Sequence, residues 1–261
     1  MKRIPLQRDM IYNVGCEELM DWIPEESIDL IIADPPYNIG KDFDGQLTQR
    51  DFYSWINWTS TWLRRCKERL TDNGQMFVFA SHRFACFVQC ILYQFGMKYR
   101  RQIIWYYENG MSRQVKEPIT MYEPILWFSK SDEFTYHTIR EPYKDITKER
   151  MKAPIIKNGK VWKPHPLGRK AGDVWRVPVL AGRRFAAERV DHPTQKPLQL
   201  VLRMVRHFSN EGDRVFVPFA GSGSECVACK LLGRSFIASE TSLKYVRIAN
   251  ERIEGCRNPV I

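Results

Sequence analysis

Residues 28–38 read Ile-Asp-Leu-Ile-Ile-Ala-Asp-Pro-Pro-Tyr-Asn. Six residues, apolar at all but one position, are followed at once by an acid, two prolines and an aromatic ring. A strand that is apolar on both faces belongs in a parallel sheet covered by helices on each side. Such sheets bind ligands at the carboxyl ends of their strands, near the point where strand order reverses. The two prolines, Pro35 and Pro36, fix φ and remove two backbone donors, so the carbonyl of Pro35 is rigidly displayed. Asp34 adds a carboxylate acceptor, and Tyr37 an aromatic face. Two acceptors beside a stacking ring suit an exocyclic amino group on a flat heterocycle. A bare Asp-Pro-Pro would need only a rigid turn with a capping aspartate; the full string at a strand end is more specific.

A second strand, Arg214–Val217, leads into Phe219-Ala220-Gly221-Ser222-Gly223 and then a helix over Ser224–Leu232. Glycines in that place let backbone amides approach a ligand at a helix N-terminus. Glu240 ends the next strand, Ser235–Ser239, 17 residues past Gly223. Nucleotide-binding sheets put an acid for ribose hydroxyls there, although alone Glu240 reads as an acid near a helix start. A third string, His192-Pro193-Thr194-Gln195-Lys196-Pro197, opens a helix over 197–208. Pro197 suits the first helical turn, and Lys196 beside that helix end is placed to meet a carboxylate.

The rest of the chain supports an α/β alternation. The pattern predicts a strand at 11–14, a helix over 16–23, a helix over 51–70 stopped by Asn73-Gly74, and a strand over 75–80. A helix near 82–95, extended segments near 101–107 and 123–129, and a final helix over 242–253 complete it. Residues 140–190 differ: Pro, Gly, Lys and Arg punctuate them and regular structure is expected to be sparse. Three segments result: 1–139 with the Asp34 string, the basic insertion 140–190, and 191–261 with the glycine loop.

The 261 residues are 44% hydrophobic and 27% charged, ordinary for a globular protein. A chain of this size buries about 70% of its unfolded surface and needs no staple. No apolar run approaches the ~18 residues of a membrane span, and the start lacks a signal-peptide core, so a cytoplasmic protein with no membrane partner is expected. The seven cysteines are scattered, as reduced thiols usually are. Cys226-x-x-Cys229 lies in an apolar helical stretch with no second pair at zinc spacing, so no metal site is expected. Of the net charge of +10, residues 140–190 carry +9, with fourteen Lys or Arg against five Asp or Glu. That is the footprint of a polyanion partner, and equally of a solvated loop.

The three strings together resemble S-adenosylmethionine-dependent DNA amino-methyltransferases, in the β-type order of catalytic string, recognition region and cofactor loop. The wider string Ala33–Asp44, ADPPYNIGKDFD, is similar to the adenine-N6 enzymes. The resemblance implies a doubly wound, mostly parallel, Rossmann-like methyltransferase sheet in permuted order with a basic recognition insertion. It implies that Asp34, Pro35, Pro36 and Tyr37 act on the target base, which is flipped out of duplex DNA. S-adenosyl-L-methionine would be held by Phe219, Ala220, Gly221, Ser222, Gly223 and Glu240, with Cys16, Thr194, Gln195 and Lys196 contributing. Lys163, Arg169, Lys170, Arg183 and Arg184 are the candidate contacts to double-stranded DNA. A prokaryotic or phage-encoded source follows, with a homodimer and a cognate restriction endonuclease as candidate partners. A solitary enzyme fits the residues equally well.

The implied reaction is methyl transfer to adenine N6. Cytosine N4, also an exocyclic amine, is the alternative. Cytosine C5 chemistry would need a nucleophilic cysteine in a Pro-Cys step, which the chain lacks. Three changes, at four positions, depart from the family pattern on the cofactor side. Val217 stands where an acid is usual, Cys16 follows Gly15 where an aspartate is usual, and Ser224-Glu225 replaces two threonines. Losing a charged hydrogen bond costs on the order of 1.5–3 kcal/mol, so weakened cofactor affinity is expected. A DNA-binding protein that keeps the fold without catalysis is therefore a second reading, and an RNA or protein substrate a third.

Overall fold

In the computed structural model, residues 6–109 and 116–256 are described, and alternating strands and helices assemble around one eight-stranded sheet. First come β1 (Met10–Tyr12), α1 (Cys16–Trp22), β2 (Ile28–Ala33) and a hairpin of β3 (Lys41–Phe43) and β4 (Gln46–Thr48). Then follow α2 (Phe52–Arg69), β5 (Leu70–Phe79), α3 (Ala85–Gln94), β6 (Lys98–Tyr106) and β7 (Tyr122–Ser129). The basic stretch holds β8 (Arg140–Glu141), α4 (Asp145–Arg150), β9 (Ile155–Lys157), β10 (Lys160–Trp162), β11 (Arg169–Lys170) and β12 (Val174–Arg176). A 3₁₀ turn at Arg183–Phe185 ends it. Last are α5 (Leu198–Phe208), β13 (Arg214–Val217), α6 (Ser224–Leu231), β14 (Ser235–Ser239) and α7 (Leu243–Gly255).

The strand order is β1-β14-β13-β2-β5-β7-β6-β12. Among the described strands of this sheet only β7 runs against its neighbours, β5 and β6. β2 and β13 lie side by side and parallel, with Val215 opposite Leu30 and Phe216 opposite Ile31. From that pair the chain builds outward to β14 on one side and β5 on the other. This is the strand-order reversal expected of a doubly wound sheet, and it brings the loops after β2 and β13 to a common edge.

Strand alternation divides the core into two faces. Leu30, Ile32, Val215 and Val217 face a cluster with α5, α6 and α7. Ile31, Ala33 and Phe216 face the cluster of α1, α2 and α3. α5 forms because Leu200, Val201, Met204, Val205 and Phe208 recur on one helical stripe, and all five are buried. Each such side chain contributes about 1.5–3 kcal/mol when removed from water. α2 starts where Asp51 Oδ1 accepts the Ser54 amide at 3.0 Å.

Two sequence expectations change. Asn73-Gly74 does not stop α2, which ends at Arg69; the pair lies inside β5. There Ile28 pairs with Leu70 and Leu30 with Gln75, so residues 71–74 bulge out of register. Gly74 is needed at the bulge, since a Cβ would sit 2.9 Å from the Thr71 carbonyl oxygen and 3.0 Å from that of Ile28. The basic stretch also has more order than its composition suggests. β12 extends the main sheet beside β6, and Trp175 is buried there while Trp105 Nε1 donates to the Val177 carbonyl at 2.7 Å.

Candidate active site

A cavity of about 400 Å³ opens at the shared edge of β2 and β13. The loop after β2 supplies Asp34, Pro35, Pro36 and Tyr37 to its wall. The loop after β13 supplies Phe219, Ala220, Gly221 and Ser222, and Glu240 enters from the end of β14. Cys16, Thr194 and Lys196 also line it. Three strings far apart in sequence therefore meet in one place.

Lys196 is the hub. Its ammonium lies 2.6 Å from Asp34 Oδ2 and 3.6 Å from Glu123 Oε2, with the lysine side chain only 4% exposed. Burial alone would lower this group, yet the facing carboxylates outweigh it and hold it above the ordinary lysine range. Tyr37 donates its hydroxyl toward Asp34 Oδ1 and Glu123 Oε2, each at 2.7 Å. Burial first, and then the two acids, push the phenol well above its usual value, so it stays a donor. The Lys196 ammonium also stands 5.3 Å from the Tyr37 ring centroid, so one ring face is already engaged. Each oxygen of Asp34 carries one of these bonds and keeps a lone pair for another donor.

The glycine loop is held from behind. Glu240 accepts the Gly221 amide through Oε2 and the Ser242 amide through Oε1, each at 2.8 Å. Gly221 has φ +49°, and a Cβ there would meet His192 Nε2 at 2.8 Å. His192 packs edge-on to Tyr245, its ring centroid 4.5 Å away. Burial lowers the imidazole to about 4, so the ring is neutral at physiological pH. Ser224 Oγ donates to the Lys196 carbonyl at 2.8 Å, tying this loop to the third string. A hairpin of β3 and β4 crosses the opening: Ser242 Oγ donates to Asp44 Oδ2 at 2.6 Å, and Phe43 meets the His192 ring at 6.0 Å.

Two predicted cofactor residues do not line the cavity. Gln195 is buried and accepts the Val190 amide at 2.8 Å while donating to the Glu188 carbonyl at 2.9 Å. It ties the end of the basic stretch to the third string. Gly223 is required for packing: φ is +75° and a Cβ would lie 2.7 Å from Ala249 Cβ. Cys16 brings no charge, because burial pushes its thiol up to about 12, but Glu17 beside it lines the cavity and supplies a carboxylate. Val217 is fully buried.

The candidate DNA residues lie outside the cavity. Lys163, Lys170, Arg183 and Arg184 are exposed. Arg169 is exposed too, but it is paired with Glu141 at 2.8 Å, as is Arg203. Glu123 and Lys41 were not among the sequence candidates. A lone acid in the apolar run Tyr122–Ser129 is the signal that points to the first.

The residues fit S-adenosylmethionine on three counts. The cavity volume is in the range of ligand sites. An acid at the end of β14 is fixed by two amides. Gly221 leaves room where any side chain would strike His192.

A mostly parallel sheet with a glycine loop and a partly buried acid cluster at its switch point has the form of a nucleotide-binding domain. A DNA methylase family model matches residues 28–251. The type II methyltransferase M1.MboII of Moraxella bovis is 32% identical over 253 residues, covering 94% of this chain and 96% of its own. The DNA adenine methyltransferase YhdJ of Escherichia coli (strain K12) is 34% identical over 236 residues, covering 89% and 78%. The solved structure of the M1.HpyAVI–SAM complex superposes with a TM-score of 0.65 at 24% identity, covering 94% of this chain and 98% of the other. The PvuII DNA methyltransferase (cytosine-N4-specific) gives 0.68 at 18%, covering 96% and 87%. The chain belongs to the S-adenosylmethionine-dependent N6/N4 DNA methylases.

Proposed function

We propose that the protein methylates adenine N6 in duplex DNA. The observation that carries this is the juxtaposition of the Asp34 carboxylate and the glycine loop in one cavity at the β2–β13 switch point. S-adenosylmethionine, when bound, supplies a methyl group on positively charged sulfur. Glu240 and the Gly221 loop would hold its nucleoside end.

Adenine N6 is a poor nucleophile because its lone pair is delocalised into the ring. Asp34 and the Pro35 carbonyl would accept its two N–H groups and favour the pyramidal nitrogen that attack requires. As the N–C bond forms, positive charge develops on that nitrogen, and a fixed carboxylate stabilises it without reorganisation. Lys196 and Tyr37 hold the acid in place. The nitrogen would gain the methyl carbon as the carbon–sulfur bond breaks with its electron pair left on sulfur, and it would lose one proton, which Asp34 would accept. Reaching the cavity requires the base to leave the helix.

Adenine rather than cytosine is favoured by the aspartate at position 34 and by the likeness to an adenine methyltransferase. Residues 140–190 are proposed as the target-recognition segment, with their surplus of nine positive charges directed at phosphate. Incubating unmethylated DNA with the protein and S-adenosylmethionine, then analysing nucleosides by mass spectrometry, tests the reading. N6-methyladenine is expected. N4-methylcytosine would keep the mechanism and overturn the base, and no product would favour the non-catalytic reading.

A further inference from the structure

Glu225 is an acid in the cavity wall, and the fold leaves one of its two carboxylate oxygens unpartnered. It is the second residue of α6, just past the glycine loop, 4% exposed, and it lines the cavity. Its Oε1 is buried with no hydrogen-bond partner. A helix N-terminus favours an acid at this place but leaves that oxygen unsatisfied, which is costly for a carboxylate.

Two cations act on Glu225 from other elements, and both are committed elsewhere. Lys196 is held by Asp34. Arg252 on α7 donates to the Ser222 carbonyl at 2.6 Å and to Ser224 Oγ at 3.1 Å. The remaining titratable groups that act on it bring no positive charge. Asp34 is an acid, and Cys226 and Cys229 on its own helix are thiols that burial keeps neutral. Burial first, then Asp34, raise the Glu225 carboxyl to about 7. Near neutral pH the unmet acceptor is thus satisfied by a proton or by an incoming cationic donor.

We propose that Glu225 binds the α-ammonium group at the amino-acid end of S-adenosylmethionine, an assignment that rests on the family's cofactor. Of that molecule's two positive groups, only the ammonium donates hydrogen bonds; a sulfonium has no N–H to offer an orphaned oxygen. The position agrees, because the Ser224–Lys196 bond places Glu225 where the glycine loop meets the third string.

Titration calorimetry on the whole protein and on Glu225→Gln tests it with three probes. S-adenosylmethionine carries both positive groups, S-adenosylhomocysteine keeps only the ammonium, and 5′-methylthioadenosine lacks the amino-acid end. Near pH 8 the variant should bind the first two about 10- to 100-fold more weakly. It should bind methylthioadenosine as the wild type does, which also reports an intact fold. Wild-type affinity for the first two should rise with pH through about 7, as Glu225 loses its proton, and the variant should be flat across that range. Unchanged binding of all three would overturn the proposal. So would a loss confined to S-adenosylmethionine, which would place the sulfonium at Glu225, or an equal loss for all three, which would make the residue structural. A wild type that binds none of them would overturn the cofactor reading as well, before any variant is compared.

Discussion

Lys196 and Arg183 are cations only 13 residues apart in sequence, and they sit in opposite surroundings. Lys196 is 4% exposed, with Asp34 and Glu123 within ion-pair distance. Arg183 and its neighbour Arg184 lie exposed on a 3₁₀ turn and form no ion pair among the described residues. Between them Gln195 bonds Glu188 and Val190, so the two settings are mechanically joined. A buried charge is fixed in place by its partners and felt strongly over short distances, which suits control of a reacting nitrogen. An exposed charge is screened beyond about 8–10 Å and acts with others as a field, which suits attraction of a polyanion. Substitutions in the two regions should therefore fail differently.

The largest effect belongs to Asp34. Replacing it with alanine removes the proposed acceptor for the developing charge, and methyl transfer should fall about 10³-fold. DNA affinity should stay within about twofold, since the residue lies inside the cavity rather than among the exposed cations. Single-turnover rates alongside DNA binding by fluorescence anisotropy separate the two. Retained turnover would remove Asp34 from the chemistry and break the comparison on its buried side.

Lys196→Met comes next and is read in stability. The change leaves two carboxylates and a tyrosine hydroxyl without their cation in a partly buried cluster, and losing one partner of a buried pair costs about 3–5 kcal/mol. Urea unfolding measures it, and adding Asp34→Asn should restore part of the loss. A cost under about 1 kcal/mol would mean that water reaches the acids and that the pair behaves as a surface bridge.

Which side of this comparison the sequence reveals depends on how local the signal is. β2, β13 and β14 are apolar runs closed by prolines, glycines and an acid, and the structure keeps their expected bounds. Asp34, Gly221 and Glu240 could be placed from those strand ends alone. Glu123 could not: it reaches the cluster through the reversed strand β7, 86 residues beyond Tyr37, so only the pairing of β5 with β7 brings it there. Gly223 and Gln195 show the converse case, in which a residue inside a recognised string lies off the cavity wall and has a packing or anchoring contact. Gly223 lets α7 approach and Gln195 anchors a loop. β12 was hidden because three residues are too few to show a period, and its single buried side chain, Trp175, sits among charges. The carboxylate missing at Cys16 stands one residue later, at Glu17, on the cavity wall.

The smallest effect sharpens the exposed side. Changing Arg183 and Arg184 together to alanine should weaken DNA binding severalfold near physiological salt. For every phosphate that a removed guanidinium had neutralised, the slope of log affinity against log salt should fall by about 0.9. S-adenosylmethionine affinity should not move, because both guanidinium groups are outside the cavity. Arg169→Ala is the control within the same stretch. Its charge is already paired with Glu141, so the slope should change less than for the unpaired arginines. If Arg169 proved as costly as Arg183 and Arg184, the Glu141 pair would have to open on DNA. If none of the three altered the slope, positive charge in residues 140–190 would serve solubility, and phosphate would have to be met by cations nearer the cavity mouth, with Lys41 and Arg50 the first to test.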